Sequence, residues 1–472
     1  MRRRNILLGG LATFTAPAVL RHNAAAQMTA SAADPNRLDR DLTPLGAERA
    51  ASKSGLVPAW TGGLSTPPAG WKPGMNPPNM FPNQEPLFTV TVDNMAQYKD
   101  MLCQGQIELL TRYGGQGYKI IVYPSQRTAC APQYVYDNTK LNVTRAQAIP
   151  KGLKVGFTGA VGGPPFPILS VDPAIAGVQA MWNHQTRWRG TYVKMVTSII
   201  VVGRGQRSLT DAEIQYTEFP YYFPNITPDA YNSTYNSTFY RSYFSVVAPA
   251  NAAGGEDNIT FTTMPLAKPN VDYEYLVGEG RIRQVPNIEY DVPESQTDDV
   301  SNVDEAYVFT GPMDRYNWKL LGKKEMIVPY NIYDLYHAQP ADALGEHFVK
   351  PELLRHEVHR CWVVEARLAP GARMSEPLRR FYLDEDTWAA VGSDAYDDQG
   401  NYWKYNFMNC MSIPELPGTA TLGNILYDLQ QNKYLSVGIW FDAPAPLGST
   451  LSLARIPASV FDPESMANSG GL

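Results

Sequence analysis

The sequence predicts a mainly antiparallel β fold of the α+β class, in which a few helices cover the sheet. After Gly190, apolar and polar residues alternate with a period of two in segment after segment, and no βαβ rhythm interrupts them. The 472-residue chain is 44% hydrophobic and only 18% charged, which is enough apolar material for a large core. Strands of this kind have one apolar face that helices or loops must cover.

Residues 1–26 have the organisation of an export signal. Residues 2–4 are all Arg, residues 6–20 are apolar with Gly and Pro breaks, and three Ala precede Gln27. The Arg run resembles a twin-arginine signal, and an ordinary secretory signal is the alternative. The first cysteine is Cys103, so no lipid-anchored N-terminus is expected. These features predict a soluble protein in the bacterial periplasm.

Charge excludes one class of partner. Residues 1–26 hold four of the 40 Lys and Arg and none of the 46 acids, so the remaining chain has a net charge of −10. A nucleic-acid partner requires a basic footprint, and none is expected here.

The chain divides into an arm and a body after the signal. Residues 27–92 are rich in Pro and Gly and predict an extended arm. Residues 93–465 form the predicted β domain, with helices near 93–113 and 172–187. The second helix has Asp172 as a natural cap and Pro173 at its first position.

The predicted strands begin at residue 118 and dominate after residue 190. They are 118–123, 192–201, 212–219, 238–247, 258–264, 271–277, 280–285, 305–310, 317–328, 354–368, 379–383, 387–396, 401–407 and 434–441. Residues 397–400, Asp-Asp-Gln-Gly, join two of them as a hairpin.

Four cysteines allow two interpretations. Export makes disulfides possible, and the pairs Cys103–Cys130 and Cys361–Cys410 each lie within one region of the sequence. Four buried thiols are the alternative, and the two are almost equally supported. Because no C-x-x-C occurs, a redox or zinc-ribbon site is not indicated.

Two polar clusters contain residue types that could form a metal site or a catalytic site. His356 and His359 suggest a metal site, but on a strand they point to opposite faces, so no metal is expected. Residues 384–386 and the acids at 394, 397 and 398 could serve glycoside hydrolysis. Both groups sit at predicted hairpin turns, which favours solvated turn residues. The sequence contains no nucleophile elbow and no phosphate-binding Gly motif, and no cofactor is predicted.

A basic cluster follows the second helix. Asn183, His184, Arg187 and Arg189 could cap the helix, since cations are favoured near its C-terminus, or bind an anionic head group. From chemistry alone, the capping interpretation is preferred.

Long motifs show a resemblance to a known family. They are residues 42–48, 57–63, 67–71, 86–89, 94–95, 123–129, 182–191, 314–331, 357–360, 381–386 and 427–430. Through them the chain resembles the DUF1329 family over about residues 40–463, and that family is similar to the lipoprotein-sorting proteins LolA and LolB.

The resemblance implies a curved, incomplete antiparallel barrel, covered by helices, around an apolar cavity. It implies a periplasmic carrier or binding protein for a lipid or other hydrophobic molecule, working with an outer-membrane channel-like protein and an RND-type exporter. It transfers no catalytic residue, and an enzyme is not expected. A periplasmic hydrolase acting on a hydrophobic or polysaccharide substrate is the alternative.

Aromatic and basic residues supply the ligand-binding hypothesis, because amphipathic rings suit a hydrophobic ligand with a polar end. The candidate positions are Arg241, Tyr243, Trp362, Trp388, Trp403, Trp182 and Arg187.

Overall fold

The structure is a computed structural model that describes residues 33–72, 75–249, 256–263, 270–276, 278–286, 288–438 and 451–468. The predicted signal, residues 1–26, lies outside the described residues. So do residues 264, 277 and 439–441, at the ends of three predicted strands.

Eight α-helices occur in the described part of the chain. They are α1 (Arg37–Arg40), α2 (Gln104–Tyr113), α3 (Gln133–Arg145), α4 (Pro173–Gln185), α5 (Pro228–Thr234), α6 (Tyr333–His337), α7 (Pro340–Ala343) and α8 (Pro463–Asn468). Short 3-10 helices span Met95–Met101, Gly114–Gln116, Pro220–Tyr222, Ser295–Thr297, Val303–Glu305 and Ala458–Phe461.

Eighteen strands are described. They are β1 (Phe88–Val90), β2 (Ile120–Tyr123), β3 (Gln147–Ala148), β4 (Phe157–Thr158), β5 (Tyr192–Gly203), β6 (Gln206–Glu218), β7 (Thr238–Ala248), β8 (Glu256–Thr263), β9 (Val271–Leu276), β10 (Arg281–Val285), β11 (Tyr316–Pro329), β12 (His356–Leu368), β13 (Leu378–Asp384), β14 (Ala390–Tyr396), β15 (Tyr402–Ser412), β16 (Thr419–Asp428), β17 (Lys433–Val437) and β18 (Leu451–Ser452).

One large sheet contains every strand except β3 and β4. Its order is β1-β2-β12-β13-β14-β15-β16-β17-β5-β6-β7-β8-β9-β10, with β11 also paired to β12 and β18 to β5. All contacts are antiparallel except the short one between β2 and β12. Among the described strands, β10 and β11 each pair on one side only, so the sheet is open. The prediction of a mainly antiparallel, incomplete β fold with few helices is confirmed.

Helix α4 is the helix most closely packed on the sheet. The Asp172 side chain accepts hydrogen bonds from the N–H groups of Ala174 and Ile175, and Pro173 occupies the first position, as the sequence predicts. A Cβ atom at Gly177 would lie 2.8 Å from the backbone nitrogen of Lys319 in β11. The missing side chain therefore lets the helix approach the strand closely.

Three local predictions differ from the structure. Where one helix is predicted over 93–113, a 3-10 helix ends at Met101 and α2 begins anew, because Cys103 and Gln106 form a capping box. Residues 305–310 are predicted as a strand, but Tyr307 and Val308 have positive φ and the segment is a loop. Helix α3 was not predicted, because few apolar residues mark its buried face.

Of the two interpretations of the cysteines, the structure contains neither predicted disulfide and corresponds to the alternative of four thiols. All four cysteines are free, buried thiols. Cys361 lies on β12 and Cys410 on β15, and two strands separate them. At about 4.8 Å per strand this separation is near 14 Å, whereas a disulfide requires Cα atoms about 4.4–6.8 Å apart. Cys103 begins α2, and the Cys130 Sγ instead lies 3.4 Å from the Leu64 carbonyl oxygen.

In the part of the chain that the structure describes, no helix has the length and apolar character needed to cross a membrane.

Candidate functional site

A cavity of about 280 Å³ lies against one face of the sheet, where β16, β17, β5, β6 and β7 are neighbours. The pairing register explains which residues line it. Met195 of β5 is opposite Gln215 of β6, which is opposite Phe244 of β7, so alternate residues of all three strands share a face. The residues that line the cavity from these strands are Val193, Met195, Thr197, Ile199, Glu213, Gln215, Thr217, Tyr240, Ser242, Phe244, Ala420, Thr421, Leu422, Gly423, Asn424 and Val437.

Residues 290–310, here called the cover segment, form the opposite wall. Their contributions to the cavity are Glu294, Thr297, Ser301, Ala306, Tyr307 and Thr310. Further apolar lining comes from Phe219, Ile413, Leu416 and Leu453. The cavity is therefore mainly apolar, with hydroxyl groups and a few charged side chains among the apolar ones.

Buried ion pairs attach the cover segment to the sheet. The Asp304 Oδ2 lies 2.7 Å from the Arg379 Nη1, and the Glu305 Oε2 lies 2.6 Å from the Lys404 Nζ. Glu376 also contacts both cations, at 3.1 Å each. Three carboxylates thus share two cations, and burial together with Glu376 raises the pKa of Glu305.

The cover segment is strained next to the cavity. Tyr307 has φ of 52° and Val308 has φ of 73°. A β-branched residue rarely adopts positive φ, because its side chain collides with its own backbone. Strain of this kind persists where the surrounding structure enforces it, and here it presents the Tyr307 ring to the cavity.

Glu294 places a titratable carboxyl in the cavity wall. Burial raises its pKa to about 7, a hydrogen bond with Ser301 opposes the increase, and Asp304 adds to it. A substantial fraction of this carboxyl is therefore protonated at neutral pH.

Two arginines stand beside the cavity without a carboxylate partner among the described residues. Arg187 is buried and donates to the His184 carbonyl oxygen at 2.8 Å and to the Thr421 hydroxyl at 3.1 Å. Its bond to His184 is the helix-capping role that the sequence favoured. Arg189 lines the cavity and packs against aromatic rings. Burial lowers the pKa of both guanidinium groups, and the positive charge of Arg189 lowers the pKa of Arg187 further.

The tryptophans of the ligand-binding hypothesis lie elsewhere. Trp182 is buried in α4 and donates to the Leu153 carbonyl oxygen at 2.7 Å. Trp388 donates to the Leu45 carbonyl oxygen and stacks on Trp362 with ring centres 6.4 Å apart. Trp403 donates to Asp428 at 2.9 Å. None of the four lines the cavity. Their part in ligand binding stays a prediction.

Arg241 and Tyr243 lie on the other face of β7. Arg241 pairs with Glu218 and lies over the Phe461 ring, and Tyr243 packs in a small cluster with Phe461. Their neighbours Tyr240, Ser242 and Phe244 face the cavity instead. Successive residues of a strand point to opposite faces of the sheet. The sequence pattern did not show whether the even-numbered or the odd-numbered residues of β7 face the cavity.

The acids considered for hydrolysis are mostly buried, which contradicts the prediction of solvated turns. Asp384, Glu385, Asp386 and Asp394 are each at most 4% exposed. Asp394 accepts hydrogen bonds from the N–H groups of Gln104 and Gly105 and so caps α2. Of these acids, Asp398 is exposed and Asp397 is partly exposed, in the predicted hairpin turn. None of these acids lines the cavity.

Buried cations neutralise residues 384–386. Arg127 contacts Asp386 and Glu385, while Arg360 and Lys323 contact Glu385. This explains the burial, since paired charges can leave water where single ones cannot.

Asp384 belongs to a separate group of buried charges that is centred on His359. His359 lies 3.2 Å from both Glu357 and Asp384. Burial lowers its pKa, but these two carboxylates outweigh that effect and raise it to about 10. His359, Asp384 and Asp386 are close enough to hold a metal ion together. A protonated imidazole has no free lone pair, and Asp386 is bound at both oxygens by Arg127, so the donors do not fit a metal.

The family model DUF1329, described as a protein of unknown function, matches residues 89–467. The chain belongs to the DUF1329 family. It is 34% identical over 419 residues to the uncharacterized protein PA3922 of Pseudomonas aeruginosa, covering 87% of this chain and 88% of that protein.

Two solved structures are similar to this chain at low sequence identity. A DUF1329 family protein from Desulfovibrio piger is 13% identical with a TM-score of 0.41, covering 63% of this chain and all of that one. A putative outer membrane lipoprotein-sorting protein domain from Vibrio parahaemolyticus is 10% identical with a TM-score of 0.39, covering 62% and 98%.

The DUF1329 motifs mostly mark structural positions. Asn183 exchanges two hydrogen bonds with the backbone of Phe166, and the Trp318 indole donates to the Met313 carbonyl oxygen. The cavity residues Glu294 and Tyr307 were not predicted, because neither belongs to a motif and Tyr307 was assigned to a strand over 305–310 that the structure does not contain. Arg189 belongs to the motif at residues 182–191, but nothing in the sequence distinguishes it from Arg187 as a cavity residue.

Proposed function

We propose that this DUF1329 protein binds and carries one small hydrophobic molecule in the cavity between the sheet and the cover segment. The observation that supports this most is the apolar lining, which includes Val193, Met195, Phe244 and Leu422. Burial of apolar ligand surface in such a site contributes about 25 cal/mol per Å². A volume of about 280 Å³ is at the lower end of ligand pockets and suits one chain or ring system.

The location is the second part of the proposal. The signal-like residues 1–26 support export to the periplasm, where a carrier would shield its cargo from water. Changing Arg2 and Arg3 to Lys should leave the protein in the cytoplasm if the twin-arginine route is used. Normal export of that variant would favour an ordinary secretory signal instead.

The partners are the third part. The DUF1329 resemblance suggests a route that includes an outer-membrane channel-like protein and an RND-type exporter. Crosslinking in intact cells, followed by mass spectrometry, should recover both proteins with this chain. Recovery of neither would contradict this part and leave the binding proposal standing.

The binding proposal is tested by filling the cavity. Thr197 is buried and lies between Met195 and Ile199 in the part of β5 that lines the cavity. Thr197→Phe should abolish binding of the fluorescent apolar probe N-phenyl-1-naphthylamine, which the wild type should bind. Ser208→Phe is the matched control, because Ser208 is exposed on β6 away from the cavity. Equal probe binding by wild type and T197F would contradict the proposal.

The acids named for the hydrolase alternative do not support it in the described part of the chain. These acids, Asp384 to Asp398, are either held in buried ion pairs and caps or at least partly exposed in a hairpin turn. A glycoside hydrolase normally uses two carboxyl groups that face a common substrate space, and none of these acids lines the cavity.

A further inference from the structure

Arg189 is an unusual cation, because it lines the apolar cavity without an anion. Its guanidinium carbon lies 4.9 Å from the ring centre of Phe219, 5.3 Å from that of Tyr307 and 5.9 Å from that of Tyr240. Its Nε is buried and has no hydrogen-bond partner, and among the described residues Arg189 forms no ion pair. The rings hold the cation in place, and none of the described residues supplies a carboxylate that pairs with it.

Arg187 adds a second positive charge next to Arg189, which makes an anion at this position more favourable. Arg187 lies close enough to Arg189 for their charges to repel, and both pack on the Tyr307 ring. The Arg187 Nε is also buried without a partner. Cation–π contacts offset part of the desolvation of a guanidinium, but a buried charge normally requires an opposite charge as well.

The carboxyl groups of the cavity do not supply that charge. Glu213 and Glu294 both line it. The groups that act on the pKa of Arg189 through charge are three tyrosine hydroxyls, and neither glutamate is among them. Neither glutamate therefore acts as the partner of the Arg189 charge.

We propose that the ligand is an amphiphile whose anionic head, a carboxylate or a phosphate, pairs with Arg189 while its hydrocarbon part lies along β5, β6 and β17. This inference rests on the proposed function and specifies its ligand class. Arg189 provides planar N–H donors that match both acids, and a charge-assisted hydrogen bond in an apolar cavity is stronger than one in water.

Three probes with the same chain test the inference: dodecanoate, dodecyl phosphate and the neutral dodecanol. Their affinities are measured by calorimetry at pH 8, below the concentrations at which they form micelles. The wild type should bind at least one of the two anions about tenfold more tightly than dodecanol, as one charge-assisted hydrogen bond requires. The anion that binds more tightly identifies the head group as carboxylate or phosphate.

Variants of Arg189 assign the preference to this side chain. Arg189→Gln should bind dodecanol as the wild type does and lose the preference for the anion. Arg189→Lys should keep part of it. Arg281→Gln is the matched control, because Arg281 is exposed on β10. Unchanged dodecanol binding also shows that the R189Q variant is folded.

The outcomes separate the two proposals. If wild type binds dodecanol and the anions equally, or if R189Q keeps the preference, the inference is wrong and the carrier proposal stands. If the wild type binds none of the three probes or N-phenyl-1-naphthylamine, both proposals fail.

Discussion

Arg127 and Asp386, which are 259 positions apart in the sequence, form a two-point ion pair in the interior of the protein. The Arg127 Nε donates to the Asp386 Oδ2 at 2.9 Å, and its Nη2 donates to the Oδ1 at 2.6 Å. The same guanidinium donates to the carbonyl oxygens of Glu48, Arg49 and Pro58. One side chain therefore connects the N-terminal arm, the segment after β2 and the turn between β13 and β14.

Removing this cation should strongly destabilise the protein. Arg127→Met leaves the Asp386 carboxylate buried with its main partner gone, and we expect a loss of about 3–5 kcal/mol in the free energy of unfolding. Urea unfolding followed by tryptophan fluorescence measures it. Arg37→Met removes an exposed ion pair with Asp41 and should have a much smaller effect, because water and salt screen exposed charges. Equal losses in both variants would contradict this role of Arg127.

A methyl group at Gly177 should separate α4 from β11. Gly→Ala inside a helix normally stabilises it by up to about 1 kcal/mol. Here the new Cβ would lie 2.8 Å from the Lys319 backbone nitrogen, so Gly177→Ala should destabilise the protein by about 1–3 kcal/mol in thermal or urea unfolding. Gly115→Ala is the control, since its Cβ would enter open space. A stabilised G177A variant would show that the helix can move away at no cost.

The Glu294 carboxyl should make stability depend on pH. Because its folded pKa is raised to about 7, the folded state holds a proton that the unfolded state releases near pH 4.5. Its contribution is complete below pH 4.5 and is lost as the pH rises through 7. The groups that act on it are Ser301, Asp304 and Lys404.

Glu294→Gln should remove this dependence. Between pH 5 and pH 8 we expect the wild type to lose about 1 kcal/mol more than the variant, a value reduced for the partial exposure of the carboxyl. Urea unfolding at several pH values measures the difference. Parallel pH profiles for the two proteins would show that the pKa of Glu294 is not raised.

The thiols offer a simple chemical test of the cysteine assignment. All four cysteines are buried, and burial raises the pKa of the Cys130 thiol to about 11. Ellman's reagent should therefore react slowly with the native protein and titrate four thiols after unfolding without reductant. Two thiols, or none, would indicate that disulfides form in the exported protein.

Trp362 and Trp388 should not affect probe binding. They stack on each other, and the Lys323 ammonium lies 4.4 Å from the Trp362 ring centre, away from the cavity. Trp362→Phe should therefore bind N-phenyl-1-naphthylamine as the wild type does, whereas Phe244→Ala, in the lining, should weaken binding. Weaker probe binding by W362F, together with unchanged binding by F244A, would place the binding site at the tryptophans, as the sequence predicts.

Much of the architecture could be predicted from local patterns, whereas the site could not. The alternation in β5 and the Asp172–Pro173 start of α4 are properties of neighbouring residues, which a sequence displays directly. The choice of Tyr240 rather than Arg241 as a cavity residue depends on which face of β7 meets the cover segment. That choice involves residues far apart in the chain.

The sequence by itself determined the family, the antiparallel class of the sheet and the composition of its strands, because each depends on motifs or on the two-residue period of a strand. Only the tertiary structure decided which charged side chains are buried and which groups they pair with. Asp386 looks like a turn residue in the sequence and is an interior ion because Arg127 reaches it. Arg187 and Arg189 look alike in the sequence, yet only Arg189 lines the cavity. Burial and pairing determine the energy of a charge, and both are fixed by residues that folding brings together.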